Sequence, residues 1–246
     1  MFYFFQKKKF LVDSLENFID IHNHILPGID DGAKTVEDSI NLIKGFADFG
    51  VTTFIATPHI IHNYYPNNPK TINDSLLVLK SELSKQNMNN VSIQAAAEHM
   101  IDANFESLLE KESVMPINKG YLLVEMSYLQ PSINFKDAIQ SISEHSFFPI
   151  LAHPERYIYL HNNFAKYKKY KKQGILFQMN LLSLSDYYGK DVQKMAVRLI
   201  NEGLIDFVAS DIHNLQQLTM LQNMKITDKL LTRILPLIEN TNINFD

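Results

Sequence analysis

Short, nearly unbroken apolar runs recur along the chain and end on polar residues: ENFIDIHNH, VTTFIATPH, VSIQAAAEHM, YLLVEMSY, FPILAHPER, ILFQMN and DFVASDIHN. Runs of this length without polar alternation read as strands buried on both faces, as in a parallel sheet. Helical stretches lie between most of them. In TVEDSINLIKGFADFG, apolar Val36, Ile40, Ile43 and Ala47 recur at helical spacing. Thr35 and Asp38 are spaced as a capping box, and Gly50 supplies the stop. Seven strand candidates alternating with helices predict an α/β fold with a parallel barrel, although a doubly wound sheet fits the same alternation. FAKYKKYKKQG carries the strongest charge run, and Phe164, Tyr167 and Tyr170 at helical spacing make it a solvated helix with an aromatic inner stripe.

The polar residues that end these runs are histidines and carboxylates: His22 and His24, His59, Glu98, Glu125, His153, and Asp211 with His213. In a parallel barrel the C-terminal ends of all strands surround one mouth, so residues far apart in sequence meet there. His22 and His24 are two apart, as are Asp211 and His213, and the strand period of two points both members of each pair the same way. Asp31 follows the first pair by a Gly-containing loop able to turn back over the same mouth. A lone histidine at a strand end is ordinarily a hydrogen-bonded core residue. Five of the nine histidines at strand ends, among carboxylates whose burial without cations costs several kcal/mol each, point instead to bound metal. With imidazole and carboxylate as donors, Zn, Mn or Fe suits the set and an all-oxygen calcium site does not.

Composition narrows the chemistry. The chain has 246 residues, 46% of them hydrophobic, enough for one large core without forcing a second domain. There is no cysteine, which removes disulfides, thiolate metal sites and every cysteine-nucleophile mechanism. A formal charge of −4 gives no basic footprint for nucleic acid. The opening MFYFFQKKKF puts its apolar run before its lysines, the reverse of a signal peptide. No uncharged apolar run approaches the roughly 18 residues that span a bilayer. A soluble cytoplasmic protein without stable membrane insertion is expected, with Phe2, Phe4 and Phe5 in an arm packed on the domain.

DIHNH, DDG, TPH, the glutamates of AAAEH and VEMSY, AHPER and SDIHN stand in the order seen in the polymerase-and-histidinol-phosphatase (PHP) superfamily. Within it, HPER and the opening IHNHILPGIDDG resemble the bacterial manganese-dependent protein-tyrosine phosphatases of capsule and exopolysaccharide synthesis. The match runs from about Asp20 to Asn214. The resemblance implies a distorted (β/α)7 PHP barrel, with residues 1–246 as a single metallophosphoesterase domain and 1–18 as an N-terminal extension. It implies three divalent ions, manganese foremost with iron or zinc as alternatives, held by His22, His24, Asp31, His59, Glu98, Glu125, His153, Asp211 and His213. Arg156 of HPER would bind the substrate phosphate. The family's second arginine, four residues past the asparagine of SD-x-HN, is here Leu218.

The implied reaction is phosphomonoester hydrolysis by a metal-bridging hydroxide, on a phosphotyrosine protein such as a bacterial tyrosine autokinase. A tyrosyl leaving group, with a pKa of about 10, needs little general-acid help, so no acid is assigned. His99, beside Glu98, is the nominal candidate, although a supporting or surface role suits it better. His62, with Tyr64 and Tyr65, could line the mouth and meet an aromatic ring. His145 and His161 read as surface or helix-end residues, and Asp20 as either an orienter of a ligand histidine or a structural hydrogen-bond acceptor. The competing readings are a histidinol-phosphate phosphatase, a nuclease, and a non-catalytic metal-binding partner of an exopolysaccharide kinase.

Overall fold

The computed structural model describes residues 8–118 and 120–246, so Phe2, Phe4 and Phe5 lie outside the described residues. The first half of the chain runs β1 (Lys8–Phe10), β2 (Ile19–Asp20), α1 (Val36–Ala47), β3 (Thr53–Ala56), β4 (His59–Ile60), α2 (Pro69–Lys85), β5 (Ser92–Ala95), β6 (Glu98–Met100) and α3 (Phe105–Glu110). It continues through β7 (Tyr121–Glu125), α4 (Phe135–Glu144), β8 (Phe148–Ala152), α5 (Ile158–His161), α6 (Phe164–Lys172) and β9 (Leu176–Asn180). The last part is α7 (Lys190–Asn201), β10 (Phe207–Ala209), α8 (Leu215–Asn223), β11 (Lys225–Thr227) and α9 (Asp228–Phe245).

Parallel strands in the orders β2-β3-β5 and β4-β6-β7-β8-β9-β10 form one barrel in two pieces. The pieces are continuous, because β3 runs into β4 through Thr57 and Pro58, and β5 into β6 through Ala96 and Ala97. Pro58 has no N–H to give the ladder, so its stave bends there. Across the bends Ala96 N still donates to Ala56 O at 2.8 Å and Glu98 N to Pro58 O at 3.1 Å. The barrel closes where the chain beyond β2 meets the chain beyond β10: Asp211 N donates to His22 O at 2.7 Å and His24 N to Ile212 O at 3.0 Å. Asp20 locks this seam, its carboxylate accepting from Ser210 N at 2.9 Å and Ser210 Oγ at 2.6 Å. Of its two readings, the structural one is therefore what the side chain does. The result is a distorted seven-stave α/β barrel, the fold expected from the alternation of strands and helices.

An inner cluster including Ile19, Ile55, Leu123, Ile150 and Phe207 fills the barrel, and a larger cluster lies between the barrel and its helices. Phe245 of α9 packs on Tyr121 and Phe207, the first residues of their strands, and so plugs the N-terminal end. α9 also satisfies strand amides there: Thr241 Oγ1 accepts from Val208 N at 3.0 Å and Asn242 Oδ1 from Ile19 N at 2.9 Å. This helix and the antiparallel pair β1–β11 were outside the seven strand candidates. The capping box of α1 is present, with Asp38 N bonded to Thr35 Oγ1 and Thr35 N to Asp38 Oδ2. In α6, Tyr167 and Tyr170 are buried, Lys168 pairs with Glu202 in solvent, and Lys171 pairs with Asp206 against the core ring of Phe177. No helix among the described residues is long and apolar enough to cross a membrane.

The alternation that fills the barrel also equips its mouth. Two residues beyond inward-facing Ala96, Leu123 and Ala209 come Glu98, Glu125 and Asp211. Apolar packing below thus fixes the aim of the carboxylates above.

Candidate metal centre and active site

Glu98 stands at the centre of the mouth. Its Oε2 lies 3.1 Å from His59 Nδ1, 3.3 Å from His22 Nε2 and 3.6 Å from His24 Nε2, and its Oε1 lies 3.0 Å from His153 Nε2. Asp211 Oδ1 is 3.3 Å from His22 Nε2 and 3.4 Å from His24 Nε2, and Glu125 Oε1 is 3.0 Å from His59 Nδ1. At the rim, Asp31 Oδ1 approaches His59 Nε2 at 3.4 Å and His213 Nε2 at 3.6 Å, on the loop that turns back over the mouth. Gly32 permits that turn, since a Cβ there would fall 2.0 Å from His24 O. The nine side chains named from the strand ends and this loop all meet in overlapping groups able to hold a metal ion: His24, Asp31, His59 and His213; His22, His24 and Asp211; His22, Glu98 and His153; His59, Glu98 and Glu125.

What these atoms lack tests whether cations belong among them. His22 Nε2, His24 Nε2, His59 Nδ1, Glu98 Oε2 and Glu125 Oε1 are buried and have no hydrogen-bond partner. They crowd to within about a hydrogen-bond length without bonding, as donors around a shared ion do. Orphaned buried polar atoms are rare because each costs about 1–3 kcal/mol. Imidazole nitrogens mixed with carboxylate oxygens suit Mn, Fe or Zn, so the residues present fit a multinuclear divalent centre.

The cage favours positive charge strongly. Burial alone would strip His24 of its proton, yet Asp30 and Asp211 beside it carry its pKa to about 10. Burial likewise opposes ionisation of Glu98 and Asp211, but the surrounding imidazoles hold both well below the ordinary carboxylate range. His213 goes the other way, to about 4, because burial and the charge on His24 both disfavour its proton. A ring that would otherwise be protonated can give the same lone pair to a cation.

The rings are aimed by neighbours outside the nine. Asp30 accepts from His24 Nδ1 at 2.8 Å and is held by Gly32 N at 2.9 Å and His59 N at 3.1 Å. A second chain of bonds fixes His22. Asp211 Oδ2 can only accept, so Asn180 Nδ2 donates to it; Asn180 Oδ1 then accepts from Gln178 Nε2, leaving Gln178 Oε1 to accept from His22 Nδ1 at 2.7 Å. Nε2 of His22 is thereby left as a free lone pair toward Glu98 and Asp211. His153 and Asp211 adopt the left-handed backbone region, with φ of 35° and 53°. Their amides are pinned at 2.7 Å to Gln178 O and His22 O, a conformation that non-glycine residues hold at a cost and that clusters at functional sites.

Arg156 enters the mouth from the turn after β8. Its Nη1 donates to Asp211 Oδ2 at 2.9 Å, and its guanidinium lies between the rings of Tyr128 and Tyr188, 4.4 Å and 4.2 Å from their centroids. Burial works against its charge, but the Asp211 carboxylate beside it and the faces of the two rings keep it protonated. Arg156, Tyr65 and Gln217 line the cavity of about 540 Å3 that opens over the cage. Tyr65 stacks on His59 with centroids 5.6 Å apart.

The remaining candidates fall elsewhere. His62 is exposed and lines an adjoining groove rather than this cavity. His99 is a buried core residue, bonded to Leu123 O at 3.0 Å and Met115 N at 3.1 Å and pushed by burial to about 4, so it is neither a surface group nor a proton donor to the mouth. His145 binds Ser141 O at the end of α4, and His161 binds Glu155 O. Leu218 is buried on α8 against Gly45 of α1, so an arginine at 218 would enter the core and could not restore a second cation at the mouth. From the same helix turn, Asn214 and Gln217 reach the cavity instead.

Fold and mouth together define a barrel of the PHP type. Residues 18–232 match the family model for capsular polysaccharide synthesis, CpsB/CapC, and the chain belongs to that family. It is 31% identical over 199 residues to the tyrosine-protein phosphatase YwqE of Bacillus subtilis, covering 80% of this chain and 78% of that one. It is 29% identical over 203 residues to the tyrosine-protein phosphatase CpsB of Streptococcus pneumoniae, covering 80% and 83%. Among solved structures, one from the metal-dependent tyrosine phosphatases YwqE and CpsB of these two organisms superposes with a TM-score of 0.74 at 28% identity, covering 90% of this chain and 94% of that chain. An amidohydrolase from Mycoplasma synoviae shares the fold at a TM-score of 0.57 and 12% identity.

Because Gln178 fixes the His22 tautomer, Gln178→Leu should weaken metal binding by about 10–100-fold, the usual cost of losing a group that orients a ligand. Titration of the chelator-stripped protein with manganese by calorimetry checks this, and unchanged affinity would show that the relay does not set the ring.

Proposed function

We propose that this chain hydrolyses phosphotyrosine on a protein, such as a bacterial tyrosine kinase of capsule or exopolysaccharide synthesis, with three divalent ions held by the nine clustered side chains. Manganese is the proposed metal and the cytoplasm the proposed compartment. The observation that carries the reading is a cage of orphaned nitrogen and oxygen atoms with one buried, ring-stacked guanidinium at its edge. The family relatives named as tyrosine-protein phosphatases support the substrate class.

Ions bound in the cage supply Lewis acidity toward phosphoryl oxygens and bring the pKa of water from about 15.7 to about 7. The protein's own groups do the rest. Asp30 and Gln178 hold the His24 and His22 rings in register. Arg156, fixed by Asp211, Tyr128 and Tyr188, meets the phosphate and neutralises charge that grows in the transition state. The ring of Tyr65 stands at the cavity wall, where the substrate's own ring arrives. Tyrosinate, with a pKa of about 10, leaves without a strong acid, in keeping with the position of His99 away from the mouth. A small alkyl phosphate such as histidinol phosphate would occupy this cavity alone and leave the adjoining groove without a role.

Chelation should abolish release of phosphate from a phosphotyrosine peptide, and manganese should restore it better than magnesium, which prefers oxygen ligands. Histidinol phosphate should be the poorer substrate of the two. Full peptide hydrolysis in dialysed, metal-free protein would refute the mechanism, and turnover of neither aryl nor alkyl phosphate with added manganese would favour a non-catalytic role.

Arg156→Lys should lower kcat/KM for the peptide on the order of 10²-fold, because a lysine cannot fill the planar slot between two tyrosine rings or offer a forked contact to phosphate. Metal content should be unchanged. Kinetics indistinguishable from wild type would mean that the phosphate is gripped without this residue.

A further inference from the structure

A second groove, about 860 Å3 in volume, adjoins the metal cavity. Ile61, Tyr65, Met100 and Ser127 line both, so the two form one continuous concave surface. Its walls are the segments 61–67 and 127–134, which follow β4 and β7. These segments carry apolar side chains that the fold leaves in water: Tyr64 is 80% exposed, Leu129 90% and Ile133 99%. Single exposed apolar residues are ordinary, but a group of them bordering a reaction site marks a surface that something covers.

The walls are already in place. Ile61 and Tyr65 exchange backbone hydrogen bonds of 2.9 and 3.0 Å, which closes the first segment into a tight turn. Asp102 Oδ2 accepts from His62 N at 2.9 Å, and Asp102 O accepts from Asn134 Nδ2 at 3.0 Å, so one residue ties both walls to the floor. A surface ordered before binding loses less entropy when filled. The groove is also acidic at its far side. Asp102 and Glu106 line it, and their carboxylates accept only from neutral N–H groups, of His62, Asn104 and Asn134, among the described residues.

We propose that this groove binds the substrate polypeptide beside its phosphotyrosine, taking an apolar side chain against Tyr64 and Ile133 and a lysine or arginine against Asp102 and Glu106. The assignment rests on the tyrosine-phosphatase reading above. It explains why a phosphate cavity opens sideways into an apolar channel, which a free small phosphomonoester would not use. Charge selects the partner: the acidic lining repels anionic lipid headgroups and attracts a basic peptide.

The test compares manganese-loaded wild type, Ile133→Glu and Glu106→Lys on three substrates. These are p-nitrophenyl phosphate, a phosphotyrosine peptide with leucine and lysine flanking the phosphotyrosine on each side, and the same peptide with serine and glutamate there. Both substituted positions lie outside the metal cavity, and Ile133 is almost fully exposed. Wild type should prefer the leucine–lysine peptide. Each variant should lower kcat/KM for it by about 10-fold, the scale of a lost pocket contact, with p-nitrophenyl phosphate unaffected. Peptide kinetics unchanged by both variants, while p-nitrophenyl phosphate is hydrolysed, overturns the groove assignment alone. This holds also if Ile133→Glu instead abolishes sedimentation with phosphatidylglycerol vesicles, which would make the patch a membrane contact. No hydrolysis of any of the three by wild type overturns the phosphatase reading, and the groove assignment with it.

Discussion

The mouth of the barrel is arranged around a single buried carboxylate. Glu98 is fully buried, with one oxygen facing three imidazoles and bonded to none of them. A carboxylate in that state costs several kcal/mol unless a cation answers it. The strand ends must therefore bring enough lone pairs to hold cations, and the barrel must be rigid enough to keep like charges together before they arrive. The apolar layer beneath supplies that rigidity, and the Asp20–Ser210 lock closes the seam beside His22. The left-handed backbone at His153 and Asp211 is tolerated because both amides are tied to neighbouring staves.

Much of this was legible in the sequence because two periods carry it. The strand period of two links Leu123 to Glu125 and Ala209 to Asp211, so recognising a buried strand also gave the aim of its last polar residue. Parallel alternation then placed all those ends at one mouth. What escaped was held by tertiary contact. Asp30 stands beside Asp31 in the same loop, and only the turn at Gly32, folded onto His24, decides which carboxylate faces the ring and which faces the rim. Gln178 and Asn180 did leave a signal, two polar residues alternating at the end of an apolar strand, the same signature that marked the histidines. Tyr188 left none, since it reaches Arg156 from a loop after the sixth stave. At position 218 the family pattern drew attention to a residue whose side chain the helix phase turns into the core.

Arg156 joins the two halves of the site. Its bond to Asp211 ties the guanidinium proposed to grip phosphate to the cage, and its stacking partner Tyr128 lies on the segment that also walls the groove. In the proposed complex, phosphate, aryl ring and flanking chain would thus face surfaces built from successive strand ends. Specificity toward a polymer can change there through loops while the cage below stays fixed.

The most direct test is the metal stoichiometry of protein purified without chelator, measured by elemental mass spectrometry for wild type and Glu98→Gln. The proposed centre predicts about three divalent ions per chain for wild type, more than the two of a two-metal hydrolase site. In Glu98→Gln the count should fall, with the barrel still folded by circular dichroism. An equal metal content in the two proteins, or a metal-free wild type that hydrolyses phosphotyrosine peptide at full rate, would contradict the claim that this buried carboxylate organises a metal centre.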